Sequence, residues 1–475
     1  MATVTTDYPG LIGAIHELTG TDPQLCYQCL KCTSGCPVAD QADMGPHQVM
    51  RAIQLGRDNI ALQSRMAWLC VSCQICTSRC PQGIDVAGTM DALKMIGVQA
   101  GIKPPVPEVA VFNQAGLVSL KYLGRIYELG VMATWNIGTG HLLKDLGMGV
   151  DLIRHGNMRL LPSAVRRHGY TAPKVEHHPA PNAVSFFPGC SLHSTAGDFG
   201  VSIKAVASKL DLKLEEVPDW LCCGSKPAST HSRELGTEYP MRNLARVAET
   251  GHRTMTTPCA ACFSRFRHAI HDAERSPSLA VQMEATTGYA YDGIAVEHLV
   301  GTVDRMFGPK GVAARVEKPL TGLKIAPYYG CLMTRPPDLT GAENAENPTQ
   351  MDRLFEAAGA DVVDWGYKTE CCGGSHGVTR SDIVEGLTRR IVDAAKAAGA
   401  DVIVTSCPLC HLNVDARQAQ YLAREKKAGA PATEGLPILY FTQALGLAFG
   451  LGARDLALGR SLVDPRPVLT QKGLL

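Results

Sequence analysis

Eighteen cysteines, most of them in tight clusters, are the residues of this 475-residue chain whose spacing can do chemistry. Cys26, Cys29, Cys32 and Cys36 followed by Pro37 spell C-x2-C-x2-C-x3-C-P, and Cys70, Cys73, Cys76 and Cys80 followed by Pro81 spell it again. In such a run three thiolates of one tight loop grip three irons of a 4Fe-4S cube, while the fourth, led away by the proline, ligates the neighbouring cluster. The expected cubane sets are therefore Cys26, Cys29 and Cys32 with Cys80, and Cys70, Cys73 and Cys76 with Cys36. Two four-cysteine zinc sites are the other reading, although those space their ligands as two separated pairs.

The remaining ten cysteines fall into two copies of another pattern. Cys190 is followed after 31 residues by Cys222-Cys223 and after 35 more by Cys259-x-x-Cys262; Cys331 is followed after 39 by Cys371-Cys372 and after 34 by Cys407-x-x-Cys410. Five thiols are one too many for a cube. Adjacent cysteines in extended chain point opposite ways, so a vicinal pair suits two irons of a larger or opened cluster. A vicinal disulfide, or zinc held by four of the five, are the alternatives. With 18 cysteines in 475 residues the chain is far from the composition of a short disulfide scaffold, so clustered thiols point to metal in a reducing compartment.

The elements that must position these cysteines are legible around them. Proline-rich stretches at 103–108 (KPPVPE) and 173–181 (PKVEHHPAP) break helix and central strand and divide the chain. We expect an α-helical ferredoxin-like domain over 1–102, a cysteine-free helical linker or docking segment over 103–182, and two lobes over 183–320 and 321–475. The lobes are duplicates: SFFPGC at 185–190 answers APYYGC at 326–331, LCCG at 221–224 answers ECCG at 370–373, and PCAAC at 258–262 answers SCPLC at 406–410. Short β-branched or aromatic runs at 183–187, 324–329 and 401–405 read as buried strands, and 350–358 and 382–398 as helices. This alternation predicts two tandem α/β lobes with cysteines on loop ends. Between the first two cysteine runs, Pro46 to Leu55 before Gly56 reads as a helix with proline at its first position.

Composition excludes several classes. With 46 basic and 45 acidic side chains the net charge is +1, which leaves no field to gather nucleic acid. Residues 1–20 lack the charged and apolar regions of a secretory signal, so a cytoplasmic protein is expected. The apolar stretch 436–452 reads as a buried C-terminal helix too short to span a bilayer. Residues 117–152 are apolar but carry Lys121, Arg125, Glu128, Lys144 and Asp145, so any membrane contact there is peripheral and a packing or docking helix is the plainer reading. Neither a G-x-G-x-x-G after a strand nor a Walker-type loop occurs, which assigns flavin or nicotinamide chemistry to a partner chain.

The helical spacer and double cysteine run resemble α-helical ferredoxin modules that carry two 4Fe-4S clusters in multi-subunit redox complexes. The doubled five-cysteine pattern, with Pro188-Gly189-Cys190-Ser191-Leu192, Tyr328-Tyr329-Gly330-Cys331-Leu332, Arg335-Pro336, Glu346-Asn347-Pro348 and Cys371-Cys372-Gly373-Gly374-Ser375, is similar to the CCG signature of the B subunit of heterodisulfide reductase. The last interval of the second copy is one residue shorter than the usual range. The first hundred residues resemble the C subunit of the same enzyme, making the whole a C-to-B fusion with 103–182 unaccounted for.

The resemblance implies a noncubane 4Fe-4S cluster on each CCG set, the two facing each other across a disulfide site, and thus four clusters in all. It implies that electrons enter by the cubanes and cleave a disulfide, each sulfur captured by one iron, or that two thiols are oxidised in reverse. Two one-electron centres match a two-electron bond. A flavoprotein A-type subunit, joined in some complexes to hydrogenase or formate dehydrogenase modules, would be the partner, within a larger complex that can be dimeric. Proton candidates near the ligand loops are His193, Lys226 and His376, each with a structural reading beside it. Arg335 offers a fork for an anionic substrate group or a structural pair. His411 is expected to hydrogen-bond a cluster sulfur or a carbonyl. The competing expectation is a relay subunit of a flavin- or quinone-linked dehydrogenase or fumarate reductase with no substrate of its own.

Overall fold

A computed structural model of the chain describes residues 10–165, 170–171, 179–429, 431 and 434–475. Most of the second proline-rich stretch, with His177 and His178, and the first nine residues lie outside the described residues. The N-terminal part is helical: α1 (Leu11–Thr19), α2 (Pro46–Gln54) and α3 (Val86–Gln99) surround the two cysteine runs. Pro46 does open α2, since its missing N–H is one that a first turn leaves unbonded anyway. Asp85 starts α3 by accepting from the Gly88 amide at 2.8 Å.

Residues 117–152 are not one helix. The chain forms α4 (Pro107–Leu123), α5 (Glu128–Thr139) and α6 (Leu146–Arg154), broken at Gly124 and Gly140, where glycine closes each helix. These helices strap both lobes. Arg125 lies over the Trp220 ring, 3.7 Å from its centroid, while Asp145 pairs with Arg417 at 2.7 Å and Lys144 donates to the Val378 carbonyl at 2.9 Å.

Each lobe is a four-stranded parallel sheet. Strands β1 (Ala183–Phe186), β2 (Lys213–Glu216), β3 (Thr254–Thr257) and β4 (Ala295–His298) run in the order β2-β1-β3-β4. Strands β5 (Lys324–Tyr328), β6 (Asp361–Val362), β7 (Val402–Thr405) and β8 (Ile438–Tyr440) run in the order β6-β5-β7-β8. The central strands β1, β3, β5 and β7 are almost wholly buried, as parallel strands covered by helices on both faces must be. The expected C-terminal helix over 436–452 is corrected. Ile438–Tyr440 pair with Ile403–Thr405 as an edge strand and only Phe441–Ala448 is helical, because a short apolar run has no period to separate strand from helix.

The two lobes share a core. Helix α7 (Gly197–Leu210) packs on α14 (Phe441–Ala448); Phe199 stacks on Tyr440 with centroids 4.1 Å apart, and the hydroxyls of Ser202 and Thr442 lie 2.6 Å apart. The helices between are α8 (Ser225–His231), α9 (Arg233–Glu249), α10 (Ala260–Arg275), α11 (Gln350–Ala357), α12 (Ser381–Ala397) and α13 (Pro408–Lys427).

Candidate metal centre

In an open parallel sheet the crevice lies beyond the carboxyl ends of the strands, where the strand order reverses. Both sheets reverse there between their first and third strands, so the loops after β1 and β3 diverge, as do those after β5 and β7. Those loops and the first turns of the helices that follow them carry Cys190 with Cys259 and Cys262, and Cys331 with Cys407 and Cys410. The vicinal pairs Cys222-Cys223 and Cys371-Cys372 come in from the side. All ten cysteines line a single cavity of about 530 Å³. Sulfur atoms stand 3.4 Å apart between Cys223 and Cys262, 3.6 Å between Cys372 and Cys410, and 3.8 Å between Cys331 and Cys371. Cys259 and Cys407, one from each lobe, lie within hydrogen-bonding reach of each other.

The backbone makes room for sulfur. Gly189 and Gly330 adopt φ of +74° and +69°, and a Cβ built on them would sit 3.2 Å from the Cys262 sulfur and 2.9 Å from the Cys410 sulfur. Glycine therefore precedes the first cysteine of each set for two reasons, the left-handed turn and the approach of the last cysteine. The cysteines are free thiols, nine of these ten are buried and Cys190 is partly exposed. Ten soft thiol donors around a cavity larger than one ion fit an iron-sulfur cluster. Among the described residues no three His, Cys, Asp or Glu side chains are poised around a single ion.

The helical module repeats one backbone twice. Gln28 and Leu30 in the first run, and Ser72 and Gln74 in the second, all take positive φ between 50° and 67°, a conformation that non-glycine residues hold only where their surroundings require it. Amide donors then reach the sulfurs: Gln28 Nε2 to Cys26 at 3.3 Å and the Ser72 amide to Cys70 at 3.4 Å. Cys36 stands beside Cys70 and Cys73, and burial followed by their charges pushes its thiol up to about 12. Tyr27 lies beside both Cys29 and Cys80. Cys73 reaches Cys371, so the module touches the second lobe sulfur to sulfur.

The other expected residues are placed as follows. Lys226 lines the cavity and bonds the Ser72 hydroxyl and both Asp91 oxygens, at 2.9 and 3.0 Å. Burial lowers Lys226, while Lys226 and Lys94 hold Asp91 well below the usual carboxylate range against its own burial. His376 is buried with Nε2 on the Leu69 carbonyl (2.9 Å) and Nδ1 on the Thr379 hydroxyl (3.0 Å), and burial pushes it down to about 4. His193 sits against Trp220 with Nε2 3.5 Å from Glu216. Arg335, with none of its side chain exposed, forks onto the Thr369 carbonyl and hydroxyl at 2.7 and 2.8 Å and onto Glu346 at 2.9 Å. His193, His376 and Arg335 stand outside the cavity wall. His411 bonds the Ile438 carbonyl at 3.1 Å, taking the carbonyl of its two expected partners.

Two residues went unread in the sequence. Arg265 and Asn413 each stand three residues after the last cysteine of their set, on α10 and α13, one helical turn along and on the same face. Both turn toward the second cysteine of the vicinal pair: the Arg265 charge acts on Cys223, and Asn413 Nδ2 lies 3.7 Å from the Cys372 sulfur.

Residues 184–267 and 325–415 match the CCG cysteine-rich domain family, and residues 25–85 match the 4Fe-4S dicluster domain family. The chain is 31% identical over 284 residues, 59% of its length and 96% of the relative's, to the 8-methylmenaquinol:fumarate reductase membrane anchor subunit of Wolinella succinogenes. It is 29% identical over 295 residues, 60% of its length and 94% of the relative's, to the B subunit of the ferredoxin:CoB-CoM heterodisulfide reductase of Methanosarcina mazei. A 122-residue stretch, 26% of this chain and 45% of the relative, is 32% identical to the C subunit of the Methanosarcina acetivorans ferredoxin:CoB-CoM heterodisulfide reductase. The chain belongs to the heterodisulfide-reductase family of iron-sulfur oxidoreductase subunits, with a C-type dicluster part fused ahead of a B-type pair of cysteine-rich domains.

Proposed function

We propose that this chain is the catalytic iron-sulfur subunit of a heterodisulfide-reductase-like complex, carrying out RSSR′ + 2 e⁻ + 2 H⁺ → RSH + R′SH or its reverse. The observation that carries this reading is that all ten CCG cysteines line one cavity, with Cys259 turned to Cys407 across the lobe boundary. Cys190, Cys222, Cys223, Cys259 and Cys262 would hold one noncubane cluster, and Cys331, Cys371, Cys372, Cys407 and Cys410 the other. Cys26, Cys29, Cys32 and Cys80 would hold one cubane, and Cys70, Cys73, Cys76 and Cys36 the second. Such clusters supply single electrons and iron sites for sulfur. The chain's own part is to bury them, to donate N–H groups to their sulfurs, and to bring Cys73 against Cys371 and Cys259 against Cys407, which sets a route from module to second lobe to first. Of the proton candidates we retain Lys226, the one of the three on the cavity wall.

The relatives are named as subunits of reductase complexes, which supports a partner that exchanges electrons at the N-terminal module; a flavoprotein A-type subunit fits the lack of a nucleotide loop here. Among the described residues no helix is long and apolar enough to cross a membrane. The likeness to a fumarate reductase membrane anchor subunit favours one second reading, an electron relay without its own substrate.

Iron and zinc analysis of protein purified without oxygen tests the proposal. We expect about sixteen irons per chain and no zinc, for two cubane and two four-iron noncubane clusters. About eight irons, with the CCG sets empty or holding zinc, would refute disulfide chemistry and leave the relay.

A further inference from the structure

The cavity has a wall that the cysteines do not explain. Phe112 of α4, Val131 and Met132 of α5, Met148 and Leu152 of α6, and Met158 beyond it line the same cavity as the ten thiols, and all come from the cysteine-free segment. Three of these six are methionines, the side chain that fits itself to a flexible apolar surface. Three of the four lysines and arginines of the wall are paired with carboxylates. Lys226 pairs with Asp91 at 2.9 Å, Arg233 with Asp272 at 3.5 Å, and Arg417 with Asp145 at 2.7 Å. Arg265 donates to the Gly236 carbonyl at 3.3 Å and turns its charge on Cys223, while its Nε is buried with no hydrogen-bond partner among the described residues. Arg335, the fork that an anionic substrate group would need, is spent on Thr369 and Glu346 outside the wall. The acid on this side is Glu128, whose Oε1 accepts from Ser191 and Thr195 at 3.3 and 3.2 Å and whose Oε2 is buried with no hydrogen-bond partner among the described residues. Against this wall an anionic group would lose its hydration beside the buried Glu128 carboxyl, whereas an alkyl chain would bury itself on the methionines.

We infer that residues 107–158 form a specificity wall, and that the thiol or disulfide taken by this site carries an uncharged, alkyl-type group seated against Met132, Met148 and Met158. The inference rests on the disulfide reading above. It gives the cysteine-free segment a role at the site, beyond holding the lobes together.

The test uses the full, cluster-loaded chain under anaerobic conditions. 1-Butanethiol through 1-octanethiol, and 3-mercaptopropionate as an anion of similar length to the shortest, are titrated against the EPR signal of the clusters, with calorimetry as an independent measure of Kd. Each added methylene should tighten Kd roughly threefold to fourfold until the wall is filled. Mercaptopropionate should bind at least about tenfold more weakly than 1-butanethiol, in keeping with an uncompensated carboxylate near Glu128. Met132→Ser should flatten the series at its long end and leave 1-butanethiol unchanged. Thiols that perturb the signal with no dependence on chain length, or a tighter mercaptopropionate, would overturn the specificity wall and leave the disulfide reading standing. Silence from every thiol would overturn both.

Discussion

Asp198 shows how costly a polar group in the shared core can be. Its Oδ1 accepts from the Phe199 amide at 3.0 Å, while Oδ2 is buried without a partner among the described residues. Burial, and the nearby Asp415, push its carboxyl up to about 7. Because the folded value lies above the unfolded one, the contribution to stability is full below pH 4 and is lost as pH rises through 7. Asp198→Asn should therefore raise the thermal midpoint at pH 8.5, by up to about 4 kcal/mol in stability, with the gain falling to less than about 2 kcal/mol at pH 5. Equal effects at the two pH values would show that the carboxylate is not the cause. At this scale the cysteine sets were readable because C-x2-C-x2-C and the vicinal pair declare themselves by spacing alone. Partners such as Asp91 for Lys226, or Thr369 for Arg335, were not, since each lies tens of residues or more away along the chain.

The elements explain why the same cysteine pattern works twice. The strand order reverses at the same place in each sheet, and the PGC and YGC turns put a glycine under the last cysteine of the set. Gly330→Ala asks for a Cβ 2.9 Å from the Cys410 sulfur in a left-handed turn. We expect a loss of about 1 to 3 kcal/mol and iron missing from the second lobe alone. Gly189→Ala is the matched variant, with its loss confined to the first lobe; metal analysis beside thermal melts reads both. Strands β1, β5 and β7 were legible as apolar runs. The edge strands were not: β2 reads KLEE and is largely exposed, and β8 hides inside a longer apolar stretch. Edge strands carry little burial pattern, so their register comes from the neighbouring strand rather than from their own sequence.

At the scale of the molecule, polar ties hold the helical module to the lobes, and three of them involve charged or imidazole side chains of the cluster loops and their neighbours. Lys226 meets Asp91, His376 Nε2 donates to the Leu69 carbonyl, and Arg79 pairs with Glu346 at 2.7 Å. Lys226→Met leaves Asp91 with Lys94 at 2.7 Å as its cation and the Ser72 hydroxyl at 3.1 Å. We expect a loss of about 1 to 3 kcal/mol and easier proteolytic release of residues 10–102, with iron content retained; a variant as protease-resistant as the parent would refute that role. No pattern in the sequence foretold this docking, because it joins segments hundreds of residues apart.

The facing of Cys259 and Cys407 has a further consequence. Each lobe contributes half of a composite cavity, an arrangement that two separate copies of one lobe would reach only by pairing. Fusion in one chain replaces that pairing by a tether, and a short tether holds its ends at an effective concentration in the millimolar range. The composite site should therefore survive dilution unchanged, with assembly independent of how much protein the cell makes.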